Sequence, residues 1–494
     1  MSQKSKLGTV LGLLTFVLLW GSPTTVQSQQ TDLPVIRPRG VPFDAGRFLE
    51  IQQQPSAGIA VRAGRLFDPR SGTNLLDQVV LIKGDLITDV GPADRVQIPA
   101  GARVIDLSRE TVLPGLIDAH VHLFNTPPLP NESQKALRAV NYAWRNMLGG
   151  FTTIGDMGSR DTYGSVDLRN AFNEGLIPGP RMQVAGPHLN PGHGVYDAPS
   201  TPGPFKHDET TWQLGTNTNS PWLMRQIVRE HGRYGVDTVK MYTTDDFSGQ
   251  GYIKEPDIVW SDGRMNLYPS LTLEEATAAV DEAHMRGLKV TSHSYGGEGL
   301  RIALEAGVDL PMHVLVGVTG SPGLDDETIR LFKQPLDNGQ QRMVMQTLWD
   351  LISPHEIGNE KSPYPTKFTL VEQSFKRLVA EGITQVFGSG VHAGWEGHGT
   401  QAMQFRLYVK WGMSPADALR TATSNAAEWL NYDLGDYTGY VEKGRYADIV
   451  AVSGDPLQDI TEMERIKFVM KGGTVFRNEL DADAVPLQLL ETTP

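Results

Sequence analysis

The sequence predicts an α/β protein: a (β/α)8 barrel of the TIM type that carries a small β domain built from both chain ends. Three observations lead to this fold class. Short apolar strands alternate with helical segments across the middle of the chain. Short strands separated by turn residues lie on both sides of this region. The middle region spans roughly 320 residues, a length that suits eight strand–helix units with insertions.

The small β domain is predicted in two parts, residues 57–113 and 436–480, with the barrel at 114–435 between them. Lys83-Gly84-Asp85 predicts a tight hairpin. The N-terminal strands are too few for a stable sheet, so we expect C-terminal strands to complete it. The predicted strands cover 58–62, 78–82, 86–90 and 104–107, then 446–452, 467–470 and 474–476.

Two helix starts of the barrel are marked by capping signals. Thr272-Leu-Glu-Glu275 is a capping box, and its helix is predicted to run to Arg286, with Gly287 as its stop and a strand at 288–293. Ser414-Pro415 predicts another helix, with serine as the N-cap and proline in the first turn. Segments 187–222 and 243–270 are rich in Gly, Pro, Asn and Asp and are candidate substrate loops.

The N-terminus has the features of a secretory signal. Lys4 and Lys6 precede an apolar run over 7–20, and Val26 and Ser28 fit a cleavage site after Ser28. We expect a signal peptide at 1–28, a leader at 29–56 and a C-terminal tail at 481–494. The chain contains no cysteine, so it has neither a disulfide nor a lipidation site at the cut. These features predict a periplasmic or secreted protein, and an uncleaved anchor is the alternative.

Composition limits the classes of function. The 494 residues include 39% hydrophobic residues and 52 glycines, which suits a loop-rich globular enzyme with a small-molecule substrate. The net charge of −13 argues against a nucleic-acid partner, because there is no basic stripe to meet phosphates. We expect no membrane partner after the signal is cleaved. A homo-oligomer is compatible with the sequence, which does not decide the oligomeric state.

The strongest site motif is Gly115-Leu-Ile-Asp-Ala-His-Val-His122. Alternate side chains of a strand point the same way, so His120 and His122 share one face. Two neutral imidazoles on a rigid face can bind a divalent metal. The alternative is a His-x-His pair on a solvated strand.

Further polar residues lie on or at the ends of later strands. Lys240 lies in an apolar strand, and His293 and His313 each end a predicted strand. Strand ends of a parallel barrel converge on one mouth. Taken singly, each histidine could be a satisfied core residue, and Lys240 could snorkel or form a salt bridge. Taken together, their spacing favours a metal centre.

At these residues the chain resembles the metal-dependent amidohydrolase superfamily, near its imidazolonepropionase-like and prolidase-like members. The resemblance covers nearly everything after about residue 57. It implies that the β domain from both chain ends is a β-sandwich. The motifs that carry it are Leu113-Pro-Gly-Leu-Ile-Asp-Ala-His-Val-His122, Gly179-Pro-Arg-Met, Val239-Lys-Met, Thr291-Ser-His and Gly444-Arg-Tyr-Ala-Asp-Ile-Val450.

The resemblance also implies a centre with two divalent metal ions. His120 and His122 would bind the more buried ion, and His293 and His313 the second. Lys240, carboxylated by CO2, would bridge them. Zinc is the default for such ligands, with manganese, iron and cobalt left open.

One position departs from the family's pattern. The family's motif Gly-Thr/Ser-Asp ends in an aspartate that binds the buried metal and shuttles the proton. Here the chain reads Phe387-Gly388-Ser389-Gly390-Val391-His392, so Gly390 occupies the expected Asp position. His392 is the candidate catalytic base, and Glu396 and His398 are further candidates. The alternatives are a solvated Glu396 and a His398 that only shapes its loop.

The implied activity is hydrolysis of an amide-like C–N bond, in a peptide-like, N-acyl or cyclic amide substrate, by metal-activated hydroxide. One alternative is an esterase or lactonase that uses the same site. Another is a catalytically silent, metal-retaining binding protein, because Gly390 has no side chain to shuttle a proton.

Overall fold

The computed structural model describes residues 55–124, 131–158, 163–189, 220–244, 267, 269–348, 367–392 and 397–480. The predicted signal peptide, the tail at 481–494 and Glu396 lie outside the described residues. Most of the predicted leader and of the two candidate substrate loops also lie outside them. Within the described ranges, no helix is both long enough and apolar enough to cross a membrane.

The described residues form sixteen strands. In chain order they are Ile59–Asp68 (β1), Thr73–Lys83 (β2), Leu86–Pro92 (β3), Arg103–Pro114 (β4), Ile117–His122 (β5), Thr153–Asp156 (β6), Arg181–Val184 (β7), Thr238–Tyr242 (β8), Lys289–His293 (β9), Leu310–Met312 (β10), Val344–Gln346 (β11), Gln385–Phe387 (β12), Val391–His392 (β13), Ile449–Val452 (β14), Phe468–Lys471 (β15) and Thr474–Asn478 (β16).

The described residues also form eleven α-helices. They are Glu132–Leu148 (α1), Gly164–Asn173 (α2), Pro221–Tyr234 (α3), Leu273–His284 (α4), Gly297–Glu305 (α5), Asp326–Phe332 (α6), Lys367–Ala380 (α7), Gln404–Lys410 (α8), Pro415–Thr421 (α9), Ser424–Trp429 (α10) and Tyr432–Gly435 (α11). Two short 3-10 helices cover Gln401–Met403 and Ile460–Arg465.

Strands from both chain ends share one seven-stranded sheet in the order β16-β15-β14-β4-β1-β2-β3. The two groups meet where β14 runs antiparallel to β4, with Ile449 opposite Pro114. The hairpin predicted at Lys83 is present, and Gly84 adopts the positive φ of +63° that its turn requires. Several strands extend further than predicted, most clearly β4, which continues to Pro114.

The middle of the chain forms two parallel sheets, with the strand orders β12-β11-β10-β9-β8 and β13-β5-β6-β7. A parallel bridge between Ala185 and Thr238 continues the order from β7 to β8. Helices separate most of these strands along the chain, as parallel pairing requires. Because all of the strands in a parallel sheet point the same way, their carboxyl ends lie along one edge of each sheet.

The predicted helix signals have the expected contacts. Thr272 Oγ1 accepts a hydrogen bond from the Glu275 backbone at 3.2 Å, and the Glu275 carboxylate accepts one from the Thr272 backbone at 2.9 Å. The helix that follows ends at His284, two residues before the predicted end. Ser414 Oγ accepts from the Asp417 backbone at 3.1 Å and caps α9.

A buried ion pair fastens the parallel strand β7 to the seven-stranded sheet. Arg181 at the start of β7 donates two hydrogen bonds to Asp448, at 2.8 and 3.1 Å. Its guanidinium also lies 3.4 Å from the centre of the Tyr446 ring. The two parallel hydrogen bonds fix the relative orientation of the Arg181 guanidinium and the Asp448 carboxylate, because both groups are planar.

Candidate active site

His120 and His122 lie on the same face of β5, and both are buried. Their Nε2 atoms are 3.1 Å apart. His122 Nδ1 lies 2.9 Å from the Gly158 carbonyl oxygen. A carbonyl can only accept, so Nδ1 carries the hydrogen and the lone pair of His122 is on Nε2. Two nitrogens that bind one zinc ion tetrahedrally at 2.0–2.1 Å are roughly 3.3 Å apart, so the spacing of this pair fits a shared ion.

Both imidazoles are neutral. Burial, together with the positive charge of Lys240, holds the pKa of His120 well below its usual value. Burial is also the main reason why the pKa of His122 is low. Neutral imidazole is the form that binds a metal, so both side chains are in the required state.

Asp118 precedes the pair on the same face of β5 and is fully buried. Its Oδ1 accepts hydrogen bonds from the backbone of His120 at 3.1 Å and of Ser389 at 2.9 Å. Burial raises the pKa of Asp118 to about 7. These contacts tie β5 to the segment that follows β12.

Lys240 lies in the middle of β8 with 1% of its surface exposed. Its ammonium donates to the Met312 sulfur at 3.1 Å and lies 5.5 Å from the centre of the Tyr242 ring. Its charge is one of the causes of the low pKa values of His120 and His122, which places it beside that pair. A buried lysine among imidazoles is costly as an ammonium, because neighbouring cations add to its desolvation.

His293 and His313 form a second pair, with ring centres 4.6 Å apart. The His313 ring is also 5.1 Å from the His120 ring, so the two pairs are adjacent. His313 has a φ of +59°, which is uncommon for a residue other than glycine. It is held there by a backbone bond to Met345 at 3.0 Å, while its Nδ1 pairs with Thr347 Oγ1 at 2.5 Å. Such backbone strain, of order 1–3 kcal/mol, is concentrated at functional sites.

Gly390 and His392 lie beside the first pair. The Gly390 backbone donates to the His120 carbonyl at 2.8 Å, and its φ is +76°. β13 runs parallel to β5 with His392 opposite His122, and the two rings are 5.3 Å apart and nearly parallel. In this register Gly390 lies beside His120, whereas His392 lies beside His122.

His398 is buried, and it interacts with the charge of His392 and forms a hydrogen bond to the His392 backbone. It stacks on Tyr142 with ring centres 4.5 Å apart, and its Nδ1 pairs with Asn146 at 3.1 Å. Burial lowers the pKa of His398 to about 3. These contacts tie His398 to Asn146 and to the segment that carries His392.

His188, which the sequence analysis did not select, also belongs to this group. It is buried four residues after β7, and its ring is 5.8 Å from that of His122 and 5.1 Å from that of Tyr242. Tyr242 in turn stacks on His293, with ring centres 4.6 Å apart. The signal in the sequence that could have identified His188 is its position shortly after a strand. It lies, however, inside segment 187–222, which the sequence predicts as a substrate loop.

The structure thus brings together six of the predicted site residues: His120, His122, Lys240, His293, His313 and His392. Within the described part of the chain, no group of three or more His, Asp or Glu side chains is arranged to hold a metal ion. The histidines form two pairs instead, and Gly390 lies where the resemblance implies a third side chain for the first pair.

Comparison with known proteins identifies the family. The model of the amidohydrolase family matches residues 111–316 and 370–476, and the chain belongs to that family. Ochratoxinase from Aspergillus niger is 23% identical over 471 residues, which cover 90% of this chain and 92% of the relative. Imidazolonepropionase from Bacillus cereus is 25% identical over 383 residues, which cover 75% of this chain and 82% of the relative.

Solved structures show the same fold. The crystal structure of a Xaa-Pro dipeptidase with bound methionine in its active site superimposes with a TM-score of 0.70 and 26% identity. The match covers 85% of this chain and all of that chain. The α/β fold and the predominantly parallel sheets are therefore those of amidohydrolases.

Proposed function

We propose that the protein is an exported, metal-dependent hydrolase that cleaves an amide-like C–N bond of a small molecule. The observation that carries the proposal is the pairing of four imidazoles, the buried His120 with His122 and the buried His293 with the partly buried His313, around the buried Lys240. Membership of the amidohydrolase family and the likeness to an ochratoxinase, an imidazolonepropionase and a Xaa-Pro dipeptidase support it.

Each pair of histidines would hold one divalent ion, with zinc as the default metal. Two imidazoles are too few for a tetrahedral ion, which needs further ligands. A carboxylated Lys240 would be a further ligand and would convert a costly buried cation into an anion. When bound, the two ions would activate water at neutral pH and polarise the scissile carbonyl.

His392 is the proposed proton donor to the leaving nitrogen. It is partly exposed and lies beside His122, two residues after Gly390, where the resemblance implies an aspartate. An amide nitrogen is a poor leaving group unless it is protonated as the bond breaks, so a donor at this place serves the reaction.

The proposed architecture has the two parallel sheets closing into one (β/α)8 barrel over residues 114–435. The parallel bridge from β7 to β8 supports closure on one side. The shared sheet from both chain ends would form the β-sandwich domain, with parts at 57–113 and 436–480.

Removal of a signal peptide at 1–28 would deliver the protein to the periplasm or the medium, leaving a leader at 29–56 and a tail at 481–494.

Gly390 favours a second candidate, hydrolysis of esters or lactones at the same site. An alkoxide leaving group depends less on a proton donor than an amide nitrogen does, so the missing carboxyl matters less. A silent metal-binding protein is the remaining alternative.

Metal analysis combined with turnover tests these proposals. The purified protein, loaded with Zn2+, is assayed against N-acyl amino acids, dipeptides and aryl esters. Turnover of amides supports the amidohydrolase, and turnover of esters alone supports the second candidate. Bound metal without turnover indicates a binding protein, and absence of bound metal refutes the metal centre.

A further inference from the structure

Two consecutive carbonyls after β6 accept hydrogen bonds from two different histidines. The Met157 oxygen lies 3.0 Å from His188 Nε2, and the Gly158 oxygen lies 2.9 Å from His122 Nδ1. Each carbonyl can only accept, so each contact fixes which ring nitrogen carries the hydrogen. The turn at 157–158 therefore couples the position of one imidazole to that of the other.

The turn itself is tightly constrained. Asp156 accepts from the backbone of Gly158 at 2.8 Å and of Leu123 at 2.9 Å, so it clamps the turn to the end of β5. Gly158 has a φ of +85°, and a Cβ there would lie 2.1 Å from the Gly186 carbonyl oxygen. The segment that carries His188 is thus packed directly against the turn, with no room for a side chain between them.

A second buried histidine, His231, holds the backbone of the segment that carries His188. His231 Nε2 donates to the Pro187 carbonyl at 2.8 Å, and its Nδ1 accepts from the Tyr163 hydroxyl at 2.9 Å. Burial lowers the pKa of His231 to about 4, so the ring is neutral. Nε2 therefore remains the donor to Pro187, and Nδ1 remains the acceptor from Tyr163. The backbone on which His188 sits is therefore fixed before any ligand arrives.

We propose that His188 is a positioning residue: its Nε2–H bond to Met157 holds the turn whose next carbonyl orients His122 toward the metal. The inference rests on the proposed function, because it assigns His122 as a ligand. Groups that orient metal ligands in this way typically contribute tenfold to a hundredfold in metal affinity. His188 would affect the ion of the first histidine pair and leave the ion held by His293 and His313 unchanged.

Three substitutions test the role of the N–H donor. A glutamine amide nitrogen reaches about as far as imidazole Nε2 and also donates, so His188→Gln keeps the bond to Met157. The asparagine amide is shorter and does not reach it, and His188→Ala has no donor. His284→Gln is the matched control, because His284 ends α4 and pairs with Asp309 rather than with any residue of the proposed site.

The measurement is a chelator-competition titration of the apoprotein with Co2+, with the visible spectrum of bound Co2+ as a second readout. We expect His188→Asn and His188→Ala to weaken one of the two sites by about tenfold to a hundredfold and to change its spectrum. We expect His188→Gln and His284→Gln to bind like the wild type. The melting temperature of each apoprotein separates loss of orientation from loss of folding.

Several results would overturn the inference. Wild-type affinity in His188→Ala would show that the contact does not orient His122. Equal loss in His188→Gln and His188→Asn would show that the N–H donor is not the cause. A wild-type protein that binds no divalent ion would refute the proposed function first, and this inference with it, whereas a metal-binding wild type with unaffected variants refutes the inference alone.

Discussion

Placing a carboxylate at position 390, where the resemblance to the family implies an aspartate, is the most direct test of how this site delivers a proton. Gly390 lies level with His120, and its φ of +76° is one that L side chains rarely adopt. A residue other than glycine there costs about 1–2 kcal/mol of backbone strain, and aspartate tolerates this conformation better than most. Gly390→Ala carries the backbone cost without the carboxylate and is therefore the matched control.

The functional effect of Gly390→Asp depends on whether His392 already supplies the proton. If no neighbour compensates, the new carboxylate should tighten the metal of the His120 pair. It should then raise amide turnover by up to about 10²–10⁴-fold, the usual contribution of a positioned general acid. Ester turnover should rise less, because its leaving group needs less protonation. If His392 has taken over, the carboxylate should add little and His392→Ala should reduce amide turnover by a similar factor.

The assay compares kcat for an amide and an aryl ester of the same acyl group in the wild type, Gly390→Asp, Gly390→Ala and His392→Ala. Metal content is measured in each protein, and apoprotein melting temperatures report the backbone cost. If Gly390→Asp and His392→Ala both leave the amide-to-ester ratio unchanged, neither residue governs proton delivery and the argument is refuted.

Three further predictions are open to simple measurements. Lys240→Ala should lower the metal content and abolish turnover, since it removes the proposed bridge; wild-type metal retention in this variant would refute the bridge. The mature protein should begin at Gln29, and N-terminal sequencing of the exported protein that found Met1 would contradict this. Hydrogen bonding and charge from Asp309 raise the pKa of His284 above 6.5, so its stabilisation should be complete below about pH 6.5 and lost as the pH rises through the folded value. The difference in melting temperature between wild type and His284→Gln should therefore shrink with rising pH, and a constant difference would exclude this pair as its source.

The residues that could be predicted from sequence are those whose position follows from strand periodicity. His120 and His122 share a face because a strand alternates with a period of two, and Lys240 and His293 lie on predicted strands. The sequence predicts His313 at a strand end, and it directly follows β10, but its positive φ depends on contacts with Met345 and Thr347 that no local pattern encodes.

Other features depend on contacts between distant parts of the chain. His188 joins the group only because the loop after β7 folds back onto the turn at 157–158. Parallel pairing of β1 with β4, such as Ile59 with Arg103, leaves no signal in either strand alone. The pairing also explains why these strands extend beyond their predicted ends, since a partner on each side supports residues that their own propensity does not.

Because Gly390 has no carboxyl group, we expect Lys240 to supply the negative charge that a metal centre at this site needs. The buried carboxyls next to the histidines, Asp118 and Asp156, already accept backbone hydrogen bonds. Two divalent ions among neutral imidazoles need anionic ligands, because low-dielectric surroundings make uncompensated charge costly. A carbamate on Lys240 would supply that charge and forms only when CO2 is available. We therefore expect reloading of the apoprotein with Zn2+ to depend steeply on bicarbonate, and Gly390→Asp to reduce that dependence by adding a second anion. Equal metal uptake with and without bicarbonate, in a buffer purged of CO2, would show that the site is completed by some other group.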